Sequence, residues 1–129
     1  MNCIAFLNYD DARAAVDWLE QAFGFERSSV HEGPNGKIAH AELRFGDGMI
    51  MLGSSGPNGF GLKTPRELGA VNQGVYVIVD NGIDGHYERA LGAGAEIVRE
   101  PNDTDYDSRE YMARDPEGNL WSFGTYRPG

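Results

Sequence analysis

Residues 9–25 read YDDARAAVDWLEQAFGF, and residues 79–95 read VDNGIDGHYERALGAGA. In both stretches an aspartate closes a short apolar run, a helix-like segment follows, and a glycine ends it, at Gly24 and Gly94. The two stretches are offset by 70 residues. Recurrence of the same features at a fixed distance indicates two copies of one supersecondary unit.

The helix of the first copy carries its own start and stop signals. Asp10 or Asp11 can cap its N-terminus, because a carboxylate there accepts a hydrogen bond from the first-turn N–H groups. Gly24 is a natural left-handed terminator. The apolar residues between them fall on one stripe at helical spacing, namely Ala15, Val16, Leu19, Ala22 and Phe23.

The segments around both helices are typical of strands, with turn signals such as Asp47-Gly48 and Pro116-Glu117-Gly118 between them. In the first copy the predicted strands are residues 3–7, 25–31, 38–45 and 49–52. In the second copy they are residues 74–79, 95–99, 109–114 and 120–126, with a helix over 84–91. Both copies therefore have the order βαβββ. We predict module 1 at residues 1–52, a Gly/Pro-rich linker at 53–73 and module 2 at 74–129.

The composition predicts one soluble globular domain. The chain has 129 residues, enough for a single hydrophobic core. Its 11 basic and 20 acidic residues leave a net charge of −9, which disfavours nucleic acid and anionic membranes as partners. The single cysteine, Cys3, excludes an intramolecular disulfide and a cysteine-rich zinc site. The first residues lack the features of a signal peptide, so we expect a cytoplasmic protein.

The motifs DDARAAVDWLEQAFGFE (residues 10–26) and RDPEGNLWSF (residues 114–123) resemble those of the vicinal oxygen chelate superfamily. This superfamily includes glyoxalase I, the extradiol dioxygenases and the bleomycin-resistance proteins. GDGMIML and DSREYMARDPEGNLWSFGTY look most like its small glyoxalase-like or bleomycin-resistance-like proteins. The resemblance implies an α+β fold, in which two tandem βαβββ modules form concave mixed β-sheets with helices on the convex side. It also implies a homodimer.

The resemblance also places the metal positions of the superfamily's enzymes, one on the first and one on the last strand of each module. Here these positions fall on Cys3 or Ile4, on Met51, on Gln73 or Gly74, and on Ser122. None offers the imidazole or carboxylate that divalent ions prefer. Cys3 is better interpreted as a small buried hydrophobic residue. The resemblance therefore predicts neither a metal nor another cofactor.

Alternation along the strands predicts which side chains face the concave cleft. The residues on one side of the strands should pack on the helices. They are Ala39, Ala41, Leu43 and Phe45 in module 1 and Tyr111, Ala113, Trp121 and Phe123 in module 2. The residues predicted to bind a ligand in the cleft or at its edge are His40, Glu42, Met49, Met51, Tyr76, Tyr106, Glu110 and Ser122. We predict residues 99–108, REPNDTDYDS, to be an acidic loop that can bring Tyr106 over the cleft mouth as a lid.

These features favour a metal-independent binding protein that sequesters a cationic or aromatic antibiotic-like ligand. Glu42 and Glu110 can attract a cation, and Tyr76 can stack on it. The alternative is a glyoxalase-like lyase or isomerase, or a dioxygenase, with a displaced or metal-free site, in which His40 is a general base oriented by Glu42. A protein-interaction role is a third possibility. Whether the modules pair within one chain or across two stays open.

Overall fold

The structure, a computed structural model, describes residues 3–55 and 61–129 and has the predicted α+β fold. Each module places its helix after its first strand and three further strands after the helix, which confirms the βαβββ order. The strands of module 1 are β1 (Phe6–Tyr9), β2 (Glu26–Glu32), β3 (Ile38–Phe45) and β4 (Gly48–Ser54). Those of module 2 are β5 (Gly74–Ile78), β6 (Glu96–Asp103), β7 (Arg109–Arg114) and β8 (Leu120–Gly124). The helices are α1 (Ala12–Phe23), α2 (Pro65–Leu68) and α3 (Ile83–Gly92).

The two sheets have the same topology. Sheet 1 has the strand order β1-β4-β3-β2, and sheet 2 has the order β5-β8-β7-β6. In each sheet the first and last strands of the module pair in parallel and the other pairs are antiparallel, so both sheets are mixed. Phe6 lies opposite Met51 in sheet 1, as Tyr76 lies opposite Ser122 in sheet 2. The two modules therefore share the register of their parallel strand pair as well as their strand order.

Helix α1 forms as its local signals predict. The Asp11 side chain accepts a hydrogen bond from the Ala14 amide at 3.0 Å, which caps the helix. Gly24 ends it in the left-handed conformation, with φ of 80°. The predicted apolar stripe is buried along its whole length, joined by Ala12 at the first turn.

Helix α1 packs on the inner face of sheet 1 and against α3, which packs on β6 and β7 of sheet 2. Its stripe lies in one core with Leu43 and Leu52 of sheet 1. At its end, the ring of Phe23 lies 5.5 Å from that of Trp121 and 4.6 Å from that of Phe123, both in sheet 2. Because the two helices cover the inner faces of the sheets, the opposite face of each sheet is turned away from the core. We call these two surfaces the open faces.

The turn at residues 115–118 joins the two modules. Buried Asp115 accepts hydrogen bonds from the Tyr9 hydroxyl (2.7 Å) and the Trp121 indole (3.0 Å). The carboxylate of Glu117 accepts the backbone N–H groups of Asp10 and Asp11, just before α1. The acidic turn of module 2 thus satisfies polar groups at the start of the helix of module 1.

Three predictions about local placement are wrong. Ala39 is exposed and Ile38 is buried instead, because the register of β2 and β3 shifts between His31 and Glu32 and reverses the alternation there. Cys3 is exposed and not a buried hydrophobic residue. The first half of the acidic segment 99–108 is strand, since β6 continues to Asp103, and the loop is confined to residues 104–108.

The predicted linker, residues 53–73, includes α2, which has a capping box formed by Thr64 and Glu67. Residues 56–60 of that segment lie outside the described residues. Within the described ranges, no helix is long and apolar enough to cross a membrane.

Candidate functional site

The predicted ligand-binding residues form two groups, one on the open face of each sheet. Tyr76, Tyr106, Glu110 and Ser122 belong to sheet 2 and its loop, and His40, Glu42, Met49 and Met51 belong to sheet 1. The sequence interpretation placed Glu42 and Glu110 in one cleft. In the single chain they are on the open faces of different sheets, because α1 covers the inner face of sheet 1 and α3 covers that of sheet 2.

Glu110 is the centre of the group on sheet 2. It alternates along β7 with the fully buried Tyr111, so its side chain lies on the open face. Its carboxylate accepts the Tyr106 hydroxyl at 2.7 Å and the Ser108 hydroxyl at 2.9 Å. Only 9% of the residue is exposed. A carboxylate on the open face is therefore largely withdrawn from water and held by two hydroxyl donors.

Tyr76 lies beside Glu110, and the two side chains meet over Gly124. A Cβ atom at Gly124 would be 2.6 Å from the Tyr76 hydroxyl oxygen and 2.7 Å from Cγ of Glu110. The Tyr76 hydroxyl donates to the carbonyl oxygen of Tyr126 at 2.8 Å. Burial and then the negative charge of Glu110 raise the pKa of Tyr76 above its ordinary value. The phenol therefore stays neutral and its ring stays available as a surface for stacking.

The loop after β6 brings Tyr106 onto the carboxylate. The Thr104 amide donates to the Ser108 carbonyl at 2.8 Å, and the Ser108 amide donates to the Thr104 hydroxyl at 3.0 Å. These bonds close the loop, and Asp107 takes a left-handed conformation at its end. The Tyr106 ring is about half exposed and contacts the ring of Tyr126 edge-on, with centroids 5.6 Å apart.

No cation compensates the charge of Glu110 within the described part of the chain. The neighbouring Arg109 forms ion pairs with Asp84 (2.9 Å) and Asp103 (3.0 Å). None of the other ion pairs found among these residues includes Glu110. Burying a carboxylate costs free energy, and the hydrogen-bond donors that offset this cost here are two neutral hydroxyls. The site is therefore predisposed to accept a positive group.

The group on sheet 1 centres on His40 and Glu42. His40 Nε2 lies 2.9 Å from Glu42 Oε2, and the His31 ring lies 6.0 Å from that of His40, its partner across the strands. The hydrogen bond from His40 is the main cause that lowers the pKa of Glu42. Met51 lies opposite Glu42 on the neighbouring strand. This open face thus carries an imidazole–carboxylate pair beside a thioether.

The side chains at the superfamily's metal positions do not fit a divalent ion. Met51 and Ser122 offer a thioether and a neutral hydroxyl, Gly74 has no side chain, and Cys3 is an exposed thiol ahead of β1. Among residues 3–55 and 61–129, no three His, Cys, Asp or Glu side chains are placed to hold a metal ion.

Sequence reasoning missed three residues of these groups. Ser108 lies two positions before Glu110, and that spacing is a signal that could have placed it beside the carboxylate. His31 became a neighbour of His40 only through strand pairing. Gly124 matters because two side chains close over it, and no local pattern indicates this.

A groove of about 440 Å³ separates the edge strands β1 and β5. Its apolar lining includes Ile4, Phe6, Leu62, Leu68 and Leu120. Phe6 is 64% exposed and Leu68 is 61% exposed. The free edges of both sheets therefore border one apolar depression.

Residues 2–123 match the family described as Glyoxalase/Bleomycin resistance protein/Dioxygenase superfamily. An uncharacterized protein of Mycobacterium tuberculosis is 35% identical over 117 residues, which cover 89% of this chain and 68% of that protein. The crystal structure of TioX from Micromonospora sp. ML1 has a TM-score of 0.80 at 34% identity, covering 98% of this chain and 99% of that one. FosX, a fosfomycin resistance protein from Listeria monocytogenes, shares the fold, with a TM-score of 0.71 at 11% identity over 98% of this chain and 92% of that one. The predicted resemblance is confirmed, and the chain belongs to the Glyoxalase/Bleomycin resistance protein/Dioxygenase superfamily.

Proposed function

We propose that this protein is a cytoplasmic, metal-independent binding protein of the bleomycin-resistance type. It sequesters a cationic, aromatic, antibiotic-like molecule without transforming it. The observation that carries this proposal is the buried carboxylate of Glu110, which faces an open surface beside a tyrosine ring and has no cation among the described residues. A ligand cation supplies the missing charge, and its planar part stacks on Tyr76.

The proposed binding unit is a homodimer. In one chain, α1 and α3 cover the inner faces of the two sheets, so each open face lacks an opposite wall. Sheet 1 of one copy placed beside sheet 2 of another makes a two-walled cleft, with the free edges of β1 and β5 adjacent. The exposed Phe6 at that edge then becomes buried, which favours association. Each cleft combines Glu110 of one copy with the His40–Glu42 pair of the other.

Calorimetric titration with proflavine, a planar aromatic cation with amino groups, tests the role of Glu110. We expect saturable binding to the native protein. Glu110→Gln should weaken it about tenfold or more, because a charge-assisted contact is lost while the shape of the side chain is kept. Glu88→Gln is the matched control, since it removes the same charge from an exposed position on α3. Equal loss in both variants would mean only diffuse attraction to an acidic protein.

The second candidate function is a glyoxalase-like lyase or isomerase, or a dioxygenase. The 2.9 Å contact between His40 and Glu42 favours it, because a carboxylate can orient an imidazole that acts as a general base. Turnover of the methylglyoxal–glutathione hemithioacetal, or oxygen uptake with catechol, tests this function. Turnover by the native protein that His40→Ala abolishes would support the enzyme. If the native protein shows no turnover and His40→Ala binds proflavine as the native protein does, sequestration is supported.

A further inference from the structure

We propose that Tyr106 is a gate on the cation subsite, and that ligand binding requires its hydroxyl to leave Glu110. This inference rests on the proposed function, because it concerns access to the same carboxylate. In the free protein the Tyr106 hydroxyl donates to Oε1 of Glu110 at 2.7 Å. It therefore occupies the position that a ligand N–H group needs.

The two donors on Glu110 differ in how firmly they are held. Ser108 is buried, and its hydroxyl oxygen also accepts the Tyr126 amide at 3.0 Å. Tyr106 is 53% exposed, and its hydroxyl donates its one proton to Glu110. The Ser108 donor thus remains fixed, while the Tyr106 donor can rotate away at the cost of that single bond.

The loop supplies a pivot for this rotation. The paired hydrogen bonds of Thr104 and Ser108 keep the base of the loop closed whatever the position of the Tyr106 ring. The ring contacts Tyr126 only edge-on. A side-chain rotation of Tyr106 therefore uncovers Oε1 without unfolding the loop.

Such a gate selects its ligands. A neutral aromatic molecule gains nothing at Glu110 to offset the broken bond. An ammonium, amidinium or aminoarene cation replaces the phenol with a hydrogen bond in which donor and acceptor are both charged, and it supplies the positive charge that Glu110 lacks. The exchange at Glu110 thus favours cations that carry N–H donors over permanently alkylated cations that carry none.

Tyr106→Phe tests the gate, with proflavine as the N–H cation and N-methylacridinium as a planar cation without an N–H donor. We expect proflavine to bind Tyr106→Phe about tenfold more tightly than the native protein, because the competing donor is gone. N-methylacridinium should gain affinity by a similar factor, because both probes are spared the same broken hydrogen bond. Tyr87→Phe, which removes a phenol hydroxyl on α3, is the control and should change neither affinity. In a Glu110→Gln background, Tyr106→Phe should have much less effect.

If the native protein binds proflavine and Tyr106→Phe binds it equally or more weakly, Tyr106 is not a gate, but the proposed binding function is unaffected. Binding by Tyr106→Phe but not by the native protein would support the gate strongly. Absence of binding by both proteins would overturn the proposed function, and the gate with it. Circular dichroism of Tyr106→Phe checks that the fold is kept.

Discussion

The hydroxyl of Tyr9 donates a hydrogen bond to Asp115 across the two modules, 2.7 Å apart in space and 106 residues apart in sequence. The same carboxylate accepts the Trp121 indole and the backbone amides of Glu117 and Asn119. Burial and the neighbouring charge of Asp115 raise the pKa of Tyr9 well above its ordinary value, so the phenol remains a donor. This contact joins β1 to the turn before β8.

Loss of the Asp115 carboxylate should destabilise the whole domain. Asp115→Ala leaves four donors without their acceptor, and we expect the free energy of unfolding to fall by about 3 kcal/mol or more. Tyr9→Phe removes one of the four bonds and should cost about 1 kcal/mol. Urea unfolding followed by tryptophan fluorescence measures both. Asp47→Ala, in an exposed turn, should stay within about 0.5 kcal/mol of the native protein; an equally small effect of Asp115→Ala would contradict this account.

His86 should make the protein less stable in mild acid. Its Nε2 donates to the Phe23 carbonyl at 2.7 Å and its Nδ1 accepts the Tyr111 hydroxyl at 2.5 Å, so the ring is held neutral. Desolvation is the main cause that lowers its pKa from the ordinary value of 6.5. A folded-state pKa below the unfolded one gives stability that is present above pH 6.5 and lost as the pH falls.

Urea unfolding at pH 7.5 and 5.5 measures this effect, in a window where the carboxylates stay largely ionised. We expect the native protein to lose on the order of 1 kcal/mol between the two values. His86→Gln should be less stable at pH 7.5 but should show a smaller loss on acidification. The same loss in both proteins would assign the pH dependence to other groups.

Replacing Gly124 should impair ligand binding more than it impairs folding. Gly124→Ala would place a methyl group 2.6 Å from the Tyr76 hydroxyl and 2.7 Å from Cγ of Glu110, so both side chains must shift. We expect proflavine binding to weaken tenfold or more, with a loss of about 1–3 kcal/mol in stability. Gly85→Ala, where no atom lies within 4 Å of the added Cβ, should instead stabilise α3 by about 0.5–1 kcal/mol.

The exposed ring at the β1 edge should control the oligomeric state. Phe6→Asp places a charge where the proposed dimer buries an aromatic side chain, and we expect it to shift the protein from dimer to monomer in sedimentation velocity. Leu91→Asp places the same charge on an exposed part of α3 and should leave the dimer intact. A monomeric native protein would contradict the two-walled cleft.

Titration with Ni²⁺, Zn²⁺ and Mn²⁺ should give no binding tighter than roughly millimolar, about −4 kcal/mol. The reason is the donor set at the superfamily's metal positions, where neither an imidazole nor a carboxylate is present. One tightly bound ion per chain would contradict this expectation. If His40→Ala abolished that binding, the site would be the His40–Glu42 pair, and the enzyme hypothesis would gain support.

The sequence predicted most of what local chemistry determines. The cap at Asp10 or Asp11, the terminator at Gly24 and the buried stripe of α1 all depend on residues in or next to one helix; all three are confirmed, with Asp11 as the cap. Ala39 was predicted to be buried but is exposed, because the register shift between β2 and β3 depends on the partner strand and not on the sequence around Ala39. The length of β6 was missed because its acidic end is ordered by pairing with β7, where Asp103 lies opposite Arg109.

The candidate site was predictable in its parts but not in its arrangement. Strand alternation placed Glu110 and Tyr76 on one surface, because both lie in regular strands. The division of the eight candidate residues between two open faces could not be predicted, since it depends on α1 and α3 packing on their own sheets and against each other. That packing is a property of the whole chain and leaves no periodic signal.

The difference in burial between α1 and α3 also has an evolutionary consequence. Its residues Val16, Leu19 and Phe23 correspond, at the offset of 70, to His86, Arg89 and Ala93 around α3. Only Ile83 and Ala90 of α3 are buried, against six residues of α1. The helix of module 1 therefore supplies more of the core than the helix of module 2. Substitutions should accumulate more easily on α3 than on α1, whereas the strands of module 2 stay constrained because Tyr111, Trp121 and Phe123 lie in the shared core.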